Sequence, residues 1–222
     1  MPGSALQPGH TLIYVYNHMT TVIKTIRALA LAAAMGLTPA AAQAAQPKAA
    51  NAAKRNTLIV ISKRDLNLKV YGAENGDTTL LATYPACLSK NKGQKQRRGD
   101  MRTPESPQGR PFKIVSIENS KAWKHDFGDG RGSILAYGHW FLRLLTPGHS
   151  GIGIHGSTNN EGTVPGRASE GCIRLRDTDI IKLKQTYAWV GMPVIIKSEG
   201  QGLLPWEVKA EARATHSNQA TK

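Results

Sequence analysis

Apolar and polar residues alternate along much of the chain between residues 57 and 197, a pattern typical of β-strands with one buried face. The stretch TLIVISKRDLNLKVYG predicts two strands joined by a turn around Lys63 to Asp65. TTLLATYPACL predicts a third strand. Further strands are predicted from PFKIVSIEN, GHWFLRLL, GIGIHG and MPVIIK.

One segment instead has apolar residues near helical spacing, after the second cysteine of the chain. In IRLRDTDIIKLKQTYAWVG, Asp177 or Thr178 is predicted to cap the helix and Gly191 to end it. Strands therefore outnumber helices, and residues 57–197 predict one mainly β domain without internal repeats. Residues 198–222 predict a polar C-terminal tail, because they show no core signal beyond Leu203, Leu204 and Trp206.

The N-terminal 44 residues have the composition of a leader. A secretory signal is predicted to start at Met19, because basic residues precede a short apolar core and the A-x-A cleavage site at 42–44. The apolar core is shorter than the about 20 residues that a spanning helix needs. Residues 45–56 predict a low-complexity linker. We expect export to the periplasm or cell envelope; an alanine-rich leader on a cytoplasmic protein is the alternative, and the start at Met1 or Met19 stays open.

The charge of the chain suits an anionic partner. The formal net charge is +14, and six of the Lys and Arg residues lie in the predicted loop from Lys90 to Arg102. The loop lacks interleaved aromatic residues and any nucleic-acid motif, so we expect no nucleic-acid partner. It is a candidate for contact with a cell-wall polymer or for the rim of a site, and a solvated cationic surface is the plain alternative.

The chain has two cysteines in different environments. Cys87 lies in an apolar strand, whereas Cys172 lies in a turn next to a glycine and near an arginine, where a thiol is more reactive. His155, 17 residues before Cys172, is the candidate base that takes the thiol proton. A disulfide between the two cysteines is the alternative in an oxidising compartment. No close Cys or His pairs are present, so we expect no metal site.

Residues beside this pair predict the rest of the site. Gly171 and Gly156 allow tight turns, and the N–H groups of Cys172 and Gly171 are candidates for an oxyanion hole. Arg174 lies two positions after the cysteine and is a candidate for holding a substrate carboxylate. Ser157 or a nearby backbone carbonyl is a candidate for orienting His155.

The string GIGIHG, followed after about a dozen residues by ASEGCIRL, closely resembles the signature of the L,D-transpeptidase catalytic domain, or YkuD domain. Glu170 departs from that signature, because His or Arg is common at its position. The upstream segment also resembles the family at Gly99, Asp100, Thr103, Pro104 and Gly109. The signature itself is matched by Ser169, Gly171, Cys172, Ile173, Arg174 and Leu175.

The resemblance implies a β-sandwich-like catalytic domain with a short helix after the catalytic cysteine, and no cofactor. It implies that Cys172 forms a thioester with peptidoglycan stem peptides while His155 acts as general base and acid, supported by Ser169 and the glycines. The acceptor is a second stem peptide, a D-amino acid or a lipoprotein lysine, and carbapenem-type inhibitors are expected to acylate Cys172. A hydrolytic L,D-carboxypeptidase or amidase of the same fold and a non-catalytic cell-wall-binding protein are the alternatives.

Overall fold

The computed structural model describes residues 56–74 and 76–220. The predicted leader at 1–44 and the predicted linker, except for Asn56, lie outside the described residues. Within the described part of the chain, no helix is both long and apolar enough to cross a membrane.

Twelve strands and two α-helices make up the described chain, and the mainly β prediction is confirmed. A small 3-10 helix spans Glu161–Thr163. The helices are α1, Asp177–Thr186, and α2, Pro205–Ala220. The strands are β1, Thr57–Ser62; β2, Asn67–Glu74; β3, Asp77–Pro85; β4, Cys87–Ser89; β5, Phe112–Asn119; β6, Lys124–Asp126; β7, Ser133–Leu135; β8, Trp140–Leu145; β9, Gly153–His155; β10, Gly166–Ser169; β11, Ile173–Arg174; and β12, Pro193–Lys197.

Ten of the strands join in a single mixed sheet, in the order β10-β4-β11-β9-β8-β5-β12-β1-β2-β3. The strands β6 and β7 form a separate two-stranded hairpin. All six residues of β1 are buried, which fits the four consecutive apolar residues in TLIVIS. Ile59 and Ile61 pack into the main core, which also contains Ile180 and Leu183 of α1. Leu58 and Val60 belong to a second, smaller cluster.

The helix α2, which the sequence pattern does not predict, contributes Ala210 and Trp206 to this second cluster. The segment predicted as a polar tail forms a helix against the sheet, where Trp206 contacts the ring of Tyr71 at 5.0 Å and Ala210 is fully buried. Glu207 accepts a hydrogen bond from Lys197 at 2.7 Å, and both side chains are at most 1% exposed. The apolar residues of α2 are not gathered on one face along its length, so no hydrophobic stripe indicated the helix.

The helix after the cysteine is present but its predicted ends are wrong. Residue Arg176 occupies the N-cap position without a side-chain hydrogen bond, and the helix ends at Thr186 with Tyr187 as C-cap. Asp177 does not cap the helix because its carboxylate bonds a different segment, described below. Gly191 lies beyond the helix and donates its N–H to the carbonyl of Ile114 in β5.

Candidate active site

The two candidate catalytic residues lie at neighbouring parallel strands of the sheet, His155 at the end of β9 and Cys172 in the turn immediately before β11. In the register of β9 and β11, Ile154 faces Ile173 and His155 faces Arg174. Both isoleucines are fully buried in the main core. Side chains alternate along a strand, so His155, Cys172 and Arg174 lie together on the opposite face. All three line one open cavity of about 480 Å³.

His155 is 4% exposed and its ring orientation is determined by the backbone. Its Nδ1 lies 2.6 Å from the carbonyl oxygen of Gly156. A carbonyl only accepts hydrogen bonds, so Nδ1 carries the proton and donates it. Phe141, paired with His155 across β8 and β9, stacks on the imidazole with ring centroids 5.7 Å apart, and Tyr137 contacts it at 4.9 Å.

The imidazole is neutral at physiological pH. Burial, followed by the positive charge of Arg174, lowers the pKa of His155 to about 3, and the hydrogen bond to Gly156 opposes this shift only in part. With Nδ1 protonated, Nε2 is the nitrogen that can accept a proton. This is the state that a general base must have before the reaction begins.

Cys172 is partly exposed to the cavity, and its Sγ lies 3.4 Å from the carbonyl oxygen of Gly151. Burial raises the pKa of the Cys172 thiol, while the backbone of Gly153 and the positive charges of Arg174, Arg143 and Lys95 oppose that shift. The resting pair is therefore a thiol and a neutral imidazole, not a thiolate and an imidazolium ion.

A hydroxyl group shapes the turn that carries Cys172. Ser169 Oγ donates to the carbonyl of Cys172 at 2.6 Å and accepts the N–H of Gly171 at 3.3 Å. Gly171 has φ +141°, and a Cβ there would lie 3.0 Å from the carbonyl oxygen of Arg102, so only glycine fits. The Gly171 N–H, a candidate donor to an oxyanion, bonds the Ser169 hydroxyl in this turn, whereas the role of the Cys172 N–H stays a prediction.

The carboxylate of Asp177, predicted from the sequence to cap a helix, instead holds the segment that contains Gly156 and Ser157. Asp177 accepts the N–H of Ser157 at 2.7 Å and the hydroxyl of Thr158. A Cβ on Gly138 would lie 2.6 Å from the Cα of Gly156, so the two glycines allow these segments to meet. The Ser157 hydroxyl is buried without a hydrogen-bond partner, so it is the carbonyl of Gly156 that orients His155.

Arg174 is a buried cation that points into the cavity. It is 3% exposed, donates to Thr163 Oγ1 at 2.9 Å and lies over the ring of Phe127 at 5.5 Å. Burial lowers the pKa of Arg174, and its Nε has no hydrogen-bond partner. No carboxylate among residues 56–74 and 76–220 forms an ion pair with it. An anionic ligand would supply the missing counter-charge.

Both cysteines are free thiols, so the alternative of a disulfide is not what the structure contains. Cys87 is fully buried in β4, opposite Arg174 of β11. The cationic loop contributes Lys95 and Arg98 to the cavity lining, which places part of it at the rim of the site. No group of three or more potential metal ligands occurs in the part of the chain that the structure describes.

Several residues of the site carried no signal in the sequence. Phe141 reaches His155 through the pairing of β8 with β9, and Tyr137 reaches it through the segment before β8, whose carbonyl at Tyr137 accepts the N–H of Gly156. Glu170, noted only as a departure from the family pattern, lies 3.2 Å from His125 of the β6–β7 hairpin, and both line the cavity. Strand alternation indicates which face a residue occupies but not which distant residue meets it.

The chain is similar to several solved structures of known proteins. A search of the curated proteins finds no match. Among solved structures, Bd1075 of Bdellovibrio bacteriovorus is 18% identical over 73% of this chain and 56% of its own, with a TM-score of 0.48. An L,D-transpeptidase from Mycobacterium smegmatis is 20% identical, with 64% and 59% covered and a TM-score of 0.44. The helical cell shape determining protein Pgp2 from Campylobacter jejuni is 20% identical, with 69% and 51% covered and a TM-score of 0.46.

This chain thus spans 51% to 59% of the length of these three proteins. The family model of the L,D-transpeptidase catalytic domain, YkuD, matches residues 56–196. That range contains β1 to β11, α1 and nearly all of β12, together with every residue of the site described above. The chain therefore belongs to the L,D-transpeptidase catalytic domain family.

Proposed function

We propose that this protein is an exported cysteine L,D-transpeptidase that acts on peptidoglycan stem peptides through a thioester on Cys172. One observation carries the proposal: the neutral imidazole of His155 donates from Nδ1 to Gly156 and keeps Nε2 as a proton acceptor, in the same cavity as Cys172. Family membership supports the reaction class. The predicted secretory signal and the charge of +14 support work at an anionic cell wall.

In the first half of the reaction, Nε2 of His155 takes the proton of the Cys172 thiol as Sγ attacks the carbonyl carbon. We assign this carbonyl to the bond between the L-centre of a diaminopimelate residue and the terminal D-alanine. The C=O electron pair moves onto oxygen, and the backbone N–H of Cys172 donates to the resulting oxyanion. When the C–N bond breaks, His155 returns the proton to the leaving amine, and a thioester on Cys172 remains.

In the second half, an acceptor amine attacks the thioester carbon. His155 removes the proton of that amine, the C–S bond breaks, and the thiol of Cys172 is restored with the proton from His155. The acceptor is a second stem peptide, a free D-amino acid or a lipoprotein lysine. Water in place of the amine gives hydrolysis, and the product analysis below distinguishes the two.

We propose that Arg174 binds a carboxylate of the donor peptide. Its guanidinium is buried in the cavity without a carboxylate partner among the described residues, and it lies on the same strand face as the nucleophile. Stem peptides carry carboxylates next to the scissile bond. An ion pair formed only with substrate would hold the scissile carbonyl beside Cys172.

The experiment measures the intact mass of the mature protein after incubation with a carbapenem. The matched variants are Cys172→Ala, His155→Ala and, as a control for the other thiol, Cys87→Ala. We expect an adduct on the wild type and on Cys87→Ala, a much slower adduct on His155→Ala, and none on Cys172→Ala. An unmodified wild-type protein would overturn the proposal and favour a non-catalytic role in wall binding.

Purified muropeptides then identify the acceptor by mass spectrometry. Crosslinked or exchanged products indicate transfer to an amine, whereas loss of the terminal D-alanine alone indicates hydrolysis. Fractionation of cells that produce the full chain tests export. Recovery of an uncleaved protein in the cytoplasm would contradict that part of the proposal.

A further inference from the structure

Lys95 of the cationic loop differs from its neighbours because it is buried. It is 7% exposed, whereas Lys92 and Arg97 on the same loop are exposed to solvent. Burial of a lysine ammonium is costly unless the charge is paired. Its Nζ lies 2.7 Å from Asp100 Oδ1, and the pair is 6% and 8% exposed. The loop therefore holds one charged group inside the protein.

Asp100 is itself heavily engaged. Besides Lys95, it accepts the backbone N–H groups of Gln96, Arg97 and Arg102. Burial alone would raise the pKa of Asp100, but these hydrogen bonds hold it well below its usual range. The negative charge is thus shared among four donors. It fixes Lys95 in place, and the positive charge of Lys95 still opposes the rise in the pKa of the Cys172 thiol.

Lys95 is fixed against the turn that carries the nucleophile. A Cβ on Gly171 would lie 3.7 Å from Lys95 Nζ, and both residues line the cavity together with Cys172. The carbonyl oxygen of Arg102, from the same loop, also lies close to this position, 3.0 Å from the same Cβ. The ammonium group is therefore held beside the Gly171–Cys172 peptide, where negative charge develops as Cys172 reacts.

We propose that Lys95 is a positioning residue that stabilises negative charge on Cys172 Sγ, and on the oxyanion that forms next to it, through the field of its buried ammonium group. Its action on the thiolate does not depend on the substrate, whereas its action on the oxyanion rests on the function proposed above. Lys95 does not take over the proton transfers of His155. It lowers the energy of the charged state that His155 creates.

The other cations near Cys172 act differently. Arg143, like Lys95, is paired with a carboxylate, in a bidentate pair with Glu118 at 2.7 Å for each bond, but unlike Lys95 it is not among the residues that line the cavity. Arg174 forms no ion pair within the described part of the chain and, in the function proposed above, is occupied by a substrate carboxylate. Lys95 is thus the cation that stays beside the turn in every state of the reaction, because Asp100 holds it there.

The test is the pH dependence of Cys172 alkylation by iodoacetamide, followed by intact mass on a Cys87→Ala background. The variants are Lys95→Met and Lys95→Arg, with Lys92→Met as the control on the same loop. We expect Lys95→Met to move the alkylation midpoint to higher pH and to slow alkylation at pH 7.5 by about 3- to 10-fold, since each pKa unit is a factor of ten in thiolate. Lys95→Arg should recover most of the rate, and Lys92→Met should match the parent.

A second variant distinguishes this role from a structural role in the loop. Asp100→Asn removes the counter-charge and keeps the cation, so the proposal expects its alkylation midpoint at or below the parent value. If the ion pair serves only to fold the loop, breaking it from either side should change alkylation in the same direction. Equal midpoints in Lys95→Met and the parent, or a rise in both Lys95→Met and Asp100→Asn, would overturn the proposal.

The outcome also stands apart from the fate of the proposed function. Alkylation of the parent protein needs no peptidoglycan, so a normal Lys95 effect with no muropeptide product would reject the substrate and keep the inference. Hydrogen exchange at the amides of Gln96 and Arg97, both bonded to Asp100, reports whether the loop stays closed in each variant.

Discussion

The carbonyl oxygen of Gly156 lies 2.6 Å from Nδ1 of His155, the residue that immediately precedes it. The candidate base is thus oriented by the backbone of the next residue, and no carboxylate of the described chain bonds its Nδ1. Gly156 is held in turn, because its N–H donates to the carbonyl of Tyr137 at 2.8 Å. A backbone acceptor fixes the tautomer without adding negative charge next to the imidazole, so burial keeps His155 neutral.

This arrangement predicts two different pH profiles for one cysteine. The pKa of His155 is lowered to about 3 and the pKa of the Cys172 thiol is raised. The neutral pair is therefore the dominant form above about pH 3 and below the pKa of Cys172. Acylation by a substrate or carbapenem uses the neutral pair and should vary less than about 3-fold from pH 5 to pH 8. Alkylation by iodoacetamide requires the thiolate and should rise about tenfold per pH unit over that range.

Both rates are measured by intact mass on the same preparation, with Cys172→Ala as the blank. A preformed thiolate–imidazolium pair would instead give an alkylation rate that is flat between pH 5 and pH 7. That plateau would contradict the neutral resting state.

The strands and the reactive pair could be predicted from the sequence because both leave local signals. Alternation marked β5, β8 and β12 without reference to anything distant, and His155 and Cys172 stand in short strings with glycines. The sequence left two candidates for the group that orients His155, namely Ser157 and a nearby backbone carbonyl. In the structure, the backbone carbonyl of Gly156 bonds Nδ1. A residue one position away is within reach of a sequence argument.

Features that depend on distant partners could not be predicted. Asp177 looks like a helix cap when only its own helix is considered, but its carboxylate bonds Ser157, 20 residues earlier. The helix α2 lacks an apolar stripe and packs through the ion pair of Glu207 with Lys197. Local sequence patterns do not indicate such pairings, because the paired residues lie on chain segments that only the fold brings together.

Asp177 provides a second prediction, for a residue that acts on catalysis through the loop after His155. Asp177→Ala removes the acceptor of the Ser157 N–H and should lower kcat about tenfold with little change in KM, because a small displacement of the base costs rate. Loss of this partly buried acceptor should also cost about 1–3 kcal/mol of unfolding free energy.

Asp177→Asn keeps a carbonyl oxygen for the Ser157 N–H and should restore most of the rate. Asp179→Ala, on the same helix, is the control. Burial raises the pKa of Asp179, so its removal should not destabilise the protein. Steady-state kinetics and urea unfolding measure both effects, and an unchanged kcat in Asp177→Ala would contradict the positioning role.

A third prediction concerns the buried guanidinium of Arg174. If it binds the donor carboxylate, the wild type should prefer a stem peptide with a free terminal carboxylate over the corresponding amide by about 10- to 100-fold in kcat/KM, in line with a charged hydrogen bond of about 1.5–3 kcal/mol. Arg174→Met should lose this preference. The ratio of kcat/KM for the two donor peptides, measured with one variant, does not depend on the fraction of folded protein.

Arg174→Lys keeps the charge but not the planar fork, and it should keep only part of the preference. The two donors are compared by mass spectrometry of the released amino acid or its amide. A preference that survives in Arg174→Met would assign the carboxylate to another cation of the cavity, with Arg98 the next variant to test.

The last prediction concerns the ion pair that fixes α2 to the sheet. Lys197 and Glu207 are at most 1% exposed, and Glu207 also accepts the N–H of Leu204 at 2.7 Å. Removing one partner leaves the other charge buried alone, so Glu207→Ala should lower the free energy of unfolding by about 3–5 kcal/mol. Arg213→Ala breaks an exposed pair of the same helix, with Asp77, and should change it by less than about 1 kcal/mol.

Urea unfolding of the two variants gives the comparison, and the double variant Lys197→Met/Glu207→Leu completes it. Replacing both charges by apolar side chains removes the lone-charge penalty, so this variant should recover most of the stability that Glu207→Ala loses. Truncation after Lys197 should resemble Glu207→Ala, because it too leaves the buried ammonium without a partner. A truncated protein as stable as the full chain would mean that the domain ends at β12 and that α2 adds nothing to its folding.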